Sequence, residues 1–293
     1  TLCRGLRVKV LDSAERGFIT PAMVKNWFAA EQKEFLREPV GKVNTLEVEA
    51  FVRRRGFVKT VRAYTSMDGM LNIELTQRKP VLRVNSVNGY DFYVTDDNYI
   101  LPTQRYYSVY VPVVTGMIVP PFGPDFVGSL DDWSKKGEKK VSENYLFLAN
   151  LINFVKFVES DGFWSAFWVQ INVRDGGSED RYNPQIELVP RAGDQIVCLG
   201  SLDDYRSKLD KLTSFYRNGL AYEGWEACRY INLAYRGQVV CSVYGPVLPD
   251  RVPGGRCGLR GGEYGICFII TSAGNCTLNT GLRSGKRRLC SCN

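Results

Sequence analysis

"GFVKTVRAYTSMDGMLNIELTQRKPVLRV" occupies residues 56–84. Two extended runs, 58–66 and 71–78, flank "MDGM" at 67–70. The Asp68-Gly69 pair between them is a strong hairpin signal, because a tight turn needs a residue free to take positive φ. Pro80 then punctuates the chain. Upstream, "LRVKVLD" (6–12) reads as a strand. "FITPAMVKNWFAAE" (18–31) starts a helix, with Thr20 as N-cap and Pro21 at the first helical position. "NTLEVEAFVRRRGF" (44–57) starts a second, with Asn44 as cap, Glu47 in capping-box position and Gly56 as the stop. The order strand, helix, helix, strand, strand predicts an α+β module over residues 1–79.

Beyond Pro80 the chain turns to short strands. "VLRVNSV" (81–87), the turn Asn88-Gly89, "YDFYVTD" (90–96) and "YILPT" (99–103) form a hairpin-rich region, and Val109–Val114 adds a strand. A loop rich in Pro, Gly and charge covers 120–142. "SENYLFLANLINFVKFVES" (142–160) has helical periodicity and is apolar over most of its circumference, so burial is expected. "SAFWVQINV" (165–173), "PQIELVP" (184–190) and "DQIVCLG" (194–200) read as strands, and "DDYRSKLDKLTSFYRNGL" (203–220) as a helix stopped near Gly219. "YINLAYRGQVVC" (230–241) alternates as a strand with one buried face, with Ile231, Leu233 and Tyr235 inward and Tyr230, Asn232 and Ala234 on the other side. Residues 80–241 are therefore expected to form a larger β domain, a mixed or antiparallel sheet with two flanking helices. Residues 242–293 read as an irregular tail with ten Gly and five Cys. Its composition favours a frame-shifted or read-through translation over a lineage-specific extension.

Composition narrows the chemistry. The chain of 293 residues is 44% hydrophobic and 24% charged, an ordinary globular balance. The net charge is +7, of which the tail carries +5, from six Arg and one Lys against Asp250 and Glu263. A basic tail could touch anionic lipid or nucleic acid, and the body gives no such signal. No His is present, which removes the usual general base, the Ser-His and Cys-His pairs and the commonest zinc ligand. The nine Cys form no CxxC pair, so no zinc ribbon or thioredoxin motif is expected. Cys3, Cys198, Cys228 and Cys241 are expected to be buried thiols, with Cys228 and Cys241 able to pair in an oxidising compartment. No apolar run is long enough to span a bilayer. The chain begins with Thr1, and an anchor or signal upstream is expected.

Local motifs are better explained by structure than by catalysis. "RRRGFVK" (53–59) fits a solvated helix C-terminus, where cations complement the dipole. Asp96-Asp97 fits a turn and Asp203-Asp204 a first helical turn. "DGGSED" (175–180) lacks the spacing of a calcium loop, and "GGRCGLRGG" (254–262) lacks the strand-to-helix context of a nucleotide loop. The aromatics of "DGFWSAFWV" (161–169) fit a core or packing edge. No catalytic residue, metal site or cofactor is expected.

Three stretches together resemble the bacterial cell-division family FtsQ/DivIB. "RVKVLDSAERGFITPAMV" (7–24) resembles the opening of its POTRA module. The segment 56–84 resembles its most recognisable part, a hairpin followed by a "QR.P" transition into a β domain. "KLDKLTSFYRNGL" (208–220) with "INLAYRGQVVC" (231–241) resembles the last helix and strands of that domain. The resemblance covers roughly residues 6–241, and the tail matches nothing in the family.

It implies a non-enzymatic, single-pass protein of the cytoplasmic (inner) membrane. A transmembrane helix would precede a POTRA domain and a β domain on the periplasmic side at the septum. The implied partners are FtsB and FtsL, and through them FtsW and FtsI, with a strand of FtsB added to the last strand of the β domain. No nucleic acid is expected as partner. A terminal strand leaves one row of N–H and C=O groups unpaired, which a partner strand can satisfy. Tyr230, Asn232, Ala234, Tyr235, Gln238, Val239 and Val240 are then the candidate partner-binding residues. Lys59, Arg62 and Tyr64, presented from the strand 58–65, are candidates for recruitment. Two rival readings remain. A POTRA-bearing component of outer-membrane assembly or secretion would show repeated modules or a barrel. A periplasmic enzyme would need paired carboxylates or an activated nucleophile.

Overall fold

The computed structural model describes residues 2–14, 17–31, 38–103, 108–134, 137–176, 182–191, 193–220, 228–242, 265–270 and 276–279. In chain order the first elements are β1 (Gly5–Val10), α1 (Pro21–Ala30), α2 (Thr45–Arg53), β2 (Val58–Thr65), β3 (Met70–Gln77), β4 (Pro80–Ser86), β5 (Asp91–Thr95), β6 (Tyr99–Pro102), β7 (Val113–Gly116) and β8 (Gly128–Ser129). They are followed by α3 (Lys139–Ser160), α4 (Gly162–Phe167), β9 (Trp168–Asp175), β10 (Pro184–Pro190), β11 (Ile196–Gly200), α5 (Tyr205–Phe215), β12 (Tyr230–Asn232), β13 (Gln238–Ser242), β14 (Gly265–Ile270) and β15 (Cys276–Asn279). Among the described residues no helix is long and apolar enough to cross a membrane. The chain falls into two compact units. One contains Thr1–Val84, Gly89–Val111 and Pro120–Tyr145, the other Asn85–Asn88, Pro112–Val119 and Leu146–Asn293.

The first unit begins with the expected β-α-α-β-β module. β3 is its central strand, parallel to β1 (Gly5↔Met70 to Val10↔Leu75) and antiparallel to β2 (Arg62↔Glu74, Thr65↔Leu71). Both caps form as expected: Thr20 Oγ1 accepts from Met23 N (3.2 Å) and Asn44 Oδ1 from Glu47 N (3.2 Å). Each satisfies an N–H that a helix start leaves without an internal partner. Gly69 takes φ 82 in the β2–β3 turn and Gly89 φ 94 after β4, so both hairpin glycines are required by backbone conformation. The core is apolar and aromatic: Phe18, Val24, Phe28, Val48, Phe51, Val58, Leu71, Ile73 and Leu75 are all buried. Each such side chain contributes about 1.5–3 kcal/mol.

Gly56 has a different role from the helix stop expected of it. α2 ends at Arg53, and a Cβ at residue 56 would lie 2.8 Å from Val127 and 2.9 Å from Leu101. The glycine allows the module to approach β6 closely. Around it, Arg78 Nε donates to Gly56 O (2.9 Å), its guanidinium pairs with Asp97, and it lies 3.7 Å from the centroid of the Tyr99 ring. Burial pushes the Asp97 carboxyl up, but the Thr95 hydroxyl and Arg78 outweigh it and hold the group below its usual range. Asp96 N donates to Lys79 O (2.8 Å). Asp96-Asp97 is thus a turn, as expected, and also a clamp. β5 and β6 pair antiparallel, β8 adds to β6, and Phe92, Phe122, Phe126 and Trp133 stack edge and face beside them.

Two expected strands move. Val109–Val114 shifts to Val113–Gly116, because Val109 packs on the core of the first unit and donates its N–H to Tyr93 Oη (3.4 Å), leaving Tyr110 exposed. Ser165–Phe167 is helical. Asp161 Oδ1 caps the short α4, accepting from Phe163 N (2.9 Å) and Trp164 N (3.1 Å), and β9 begins at Trp168.

In the second unit the strand order is β15-β14-β13-β12-β11-β10-β9-β7. β7–β9 and β11–β12 are parallel and the other neighbours antiparallel, so the sheet is mixed. Ile171, Val173, Ile186, Leu188, Val197, Leu199 and Ile231 form its buried apolar positions. Leu148, Leu151, Phe154 and Val155 of α3 and Leu209, Leu212 and Phe215 of α5 are buried as well. The tail contains two strands, β14 and β15, where none was expected. The nucleotide-loop look-alike at 254–262 lies outside the described residues, as does most of "DGGSED".

Gln77, at the end of β3, is fully buried. Its Oε1 accepts from Ile19 N (2.7 Å), and its N and Nε2 donate to Asp12 (2.9 and 3.2 Å). Gln77→Leu strands the Ile19 N–H and should cost about 1–3 kcal/mol in chemical denaturation. A loss under 0.5 kcal/mol would contradict this role.

Candidate partner-binding edge

"YINLAYRGQVVC" is two short strands rather than one. β12 pairs parallel with β11 (Ile196↔Tyr230, Cys198↔Asn232) and antiparallel with β13 (Tyr230↔Ser242, Asn232↔Val240). The turn between them is built locally. Leu233 N donates to Cys198 O (2.8 Å), Ala234 N to Asn232 Oδ1 (2.9 Å), and Gly237 takes φ 67. Gly200 (φ 74) closes β11 against this turn, where a Cβ would lie 2.9 Å from that of Ala234.

This corrects the placement of several candidate residues. Tyr230 and Asn232 were expected on an exposed face beside a free edge. They are 6% and 8% exposed, on a strand flanked on both sides. Tyr230 Oη donates to Glu187 Oε1 (3.2 Å), which also takes Arg174 Nη1 (2.8 Å), while Asn172 Nδ2 donates to Glu187 Oε2 (3.3 Å). Asn172, Glu187, Cys198 and Asn232 occupy one register row across four strands. Burial of a carboxylate is tolerated there because its oxygens are paired. Burial raises the Cys198 thiol above its usual range and pushes the Tyr230 hydroxyl well above its own. Ala234 is exposed, Tyr235 and Gln238 are half-buried, and Val239 and Val240 are buried.

Three devices hold β13 on its inner side. The first is its ladder with β12. The second is a disulfide between Cys228 and Cys241, enclosing β12 and the turn. Cys3 and Cys198 are buried free thiols, as expected. The third is Lys211 of α5, whose Nζ donates to Leu233 O (2.8 Å) and to Tyr235 O. The outer side is not open as expected. β14 lies along it in a five-pair antiparallel register, from Gln238↔Ile269 to Ser242↔Gly265.

The recruitment candidates Lys59, Arg62 and Tyr64 are all exposed on β2. β2 bulges between Val58 and Thr60, and Lys59 is turned into an ion pair with Asp96 (3.1 Å). Arg62 lies 5.8 Å from the centroid of the Tyr64 ring, and Tyr64 Oη donates to Glu74 Oε1 (3.2 Å). At the strand's edge Ala63 N donates to Glu49 Oε1 (2.9 Å) of α2. Arg53 pairs with Glu49 and Arg55 with Glu31, so the "RRRGFVK" cations complement acids of their own unit.

Glu187, Gly200 and Lys211 were not singled out by sequence. Nothing local marks Glu187. Lys211 sits beside the apolar positions Leu209 and Leu212 of an amphipathic helix, a weak cue that it is not simply solvated. β14 had a readable signal, the apolar run "ICFII" between Gly265 and Thr271, hidden by the Gly and Arg content around it.

A β-α-α-β-β module and a mixed sheet with few helices define an α+β protein. The sequence profile of a POTRA-like domain matches residues 1–76, and that described as FtsQ/DivIB, C-terminal related, matches residues 79–242. The chain belongs to the FtsQ/DivIB C-terminal related family and is a cell-division protein. Comparison with curated proteins gives no match.

Two measurements check the inner side of the edge. Burial, then the charge of Lys208, lowers the Lys211 ammonium to about 8. Its unfolded value lies near 10.4. The unfolded chain therefore binds this proton more tightly, and the folded state gains stability as pH rises from about 8 to about 10.4. That gain should vanish in Lys211→Met, read as the difference between the two pH profiles of unfolding free energy. Parallel profiles would refute it. Replacing both Cys228 and Cys241 by Ser should lower stability by about 2–4 kcal/mol.

Proposed function

We propose that the chain is a non-enzymatic scaffold of the division complex that binds FtsB- and FtsL-like proteins by β-strand addition at β13. Through them it links to the septal wall synthase pair FtsW and FtsI. The observation that carries the reading is the outer edge of β13, which accepts a strand in full antiparallel register while its inner side is fixed by β12, Lys211 and the disulfide. Backbone pairing supplies affinity in such a mode and alternate side-chain positions supply specificity. The contact set centres on Gln238, Val239 and Val240, with Ala234 and Tyr235 at the adjoining turn. Tyr230 and Asn232 support it from inside the sheet.

The reading places the protein on a single-pass anchor of the cytoplasmic membrane, with both domains, 1–79 and 80–241, on the periplasmic side at the septum. The Cys228–Cys241 disulfide fits an oxidising compartment. The POTRA-like module serves recruitment, with Lys59, Arg62 and Tyr64 on its exposed face.

Titration with an FtsB-like peptide tests the scaffold reading. Asn232 faces β13 and pairs with Val240, so the N–H of Val239 faces outward. Val239→Pro removes that N–H and should weaken binding at least tenfold. Tyr235→Ala should weaken it less. Affinity unchanged by both substitutions would sink the proposal. For recruitment, replacing Lys59, Arg62 and Tyr64 together by Ala should reduce midcell localisation, and full retention counts against that role.

A further inference from the structure

We propose that β14, with β15 paired to it, is the chain's own occupant of the edge that a partner strand requires, so that β13 alternates between a covered and an open state. The inference rests on the strand-acceptor reading of β13. β14 takes every register position of β13 from Gln238 to Ser242, and β15 pairs in turn with β14. α5 lies against both β13 and β14. A partner strand and β14 would need the same backbone groups, so their binding excludes each other.

The attachments of β13 fit an exchange on one side only. The disulfide, the β12 ladder and the Lys211 clamp all act inward of β13 or on the turn before it. Those three attachments are made to β12, to Cys228 and to α5 rather than to β14 or β15, so departure of β14 and β15 leaves the acceptor strand in place. The connecting sequence 243–264 contains six glycines. A tethered strand competes at an effective concentration on the order of millimolar. The apparent affinity of a separate strand then falls by the fraction of chains whose edge is open. The register also states what the occupant must look like. It is antiparallel, with apolar residues where Phe268 and Ile266 stand opposite Val239 and Cys241.

The test uses the full chain and a labelled peptide copying residues 264–271, with Ser in place of Cys267 and flanking lysines for solubility. In one variant Ile266→Pro and Phe268→Pro remove two N–H groups from β14. This variant should bind the peptide saturably and at least tenfold more tightly than the unmutated chain, and adding Val239→Pro, which removes an outward N–H of β13, should abolish that binding. Equal binding by the variant and the unmutated chain overturns the inference. A measurement free of mutation stands beside it. Millimolar peptide should speed amide exchange at 266–269 of the unmutated chain at least tenfold, and exchange indifferent to the peptide overturns the inference. The two readings fail separately. A proline variant that takes its own-strand peptide but no FtsB-like peptide keeps the covered edge and removes the division partner. An FtsB-like peptide bound equally by both chains keeps the partner and removes the cover.

Discussion

Lys211 spends its ammonium on two carbonyls, those of Leu233 and Tyr235, and the end of the sheet is arranged around that contact. A turn that follows a three-residue strand has little ladder of its own to hold it. Without a donor from α5, the carbonyl of the buried Leu233 would lose the ammonium that it accepts from. With it, the turn is fixed, β13 is brought back beside β12, and Cys241 meets Cys228. The cost appears in the lysine itself, whose proton is held less tightly than in water. Gly200 adds a steric condition, since the turn can sit this close only to a residue without a side chain.

What the sequence disclosed was what local chemistry decides. Thr20-Pro21 and Asn44 announced helix starts because a cap is a contact between residues three apart. Asp68-Gly69 and Asn88-Gly89 announced hairpins because the turn demands positive φ there. The transition "QRKP" was visible as a motif, but its physical content needed the fold. Gln77 spans β3, Asp12 and Ile19, and Arg78 spans Gly56, Tyr99 and Asp97, partners dozens of positions away in some cases.

The end of the sheet was harder to read for the same reason. Alternation in residues 230–235 is compatible with an edge strand and with an interior one. The deciding fact is a parallel partner, β11, thirty or so residues upstream, which no periodicity reveals. Ser165–Phe167 was misjudged because aromatic residues favour strands, while the Asp161 cap that overrides them needs only two N–H groups. The tail was misjudged by averaging, since one apolar run lay inside a Gly- and Arg-rich composition.

The bond from Ala63 N to the Glu49 carboxylate bears on how the protein behaves among copies of itself. A sheet edge recruits other chains through a continuous row of unpaired amides. In β2 that row is interrupted at its middle by an acidic side chain from the chain's own helix, and the bulge at Lys59 disturbs it again near one end. Such a strand is a poor template for indiscriminate stacking. At high local concentration, β2 is therefore guarded against aggregation even though it lies at the margin of its sheet.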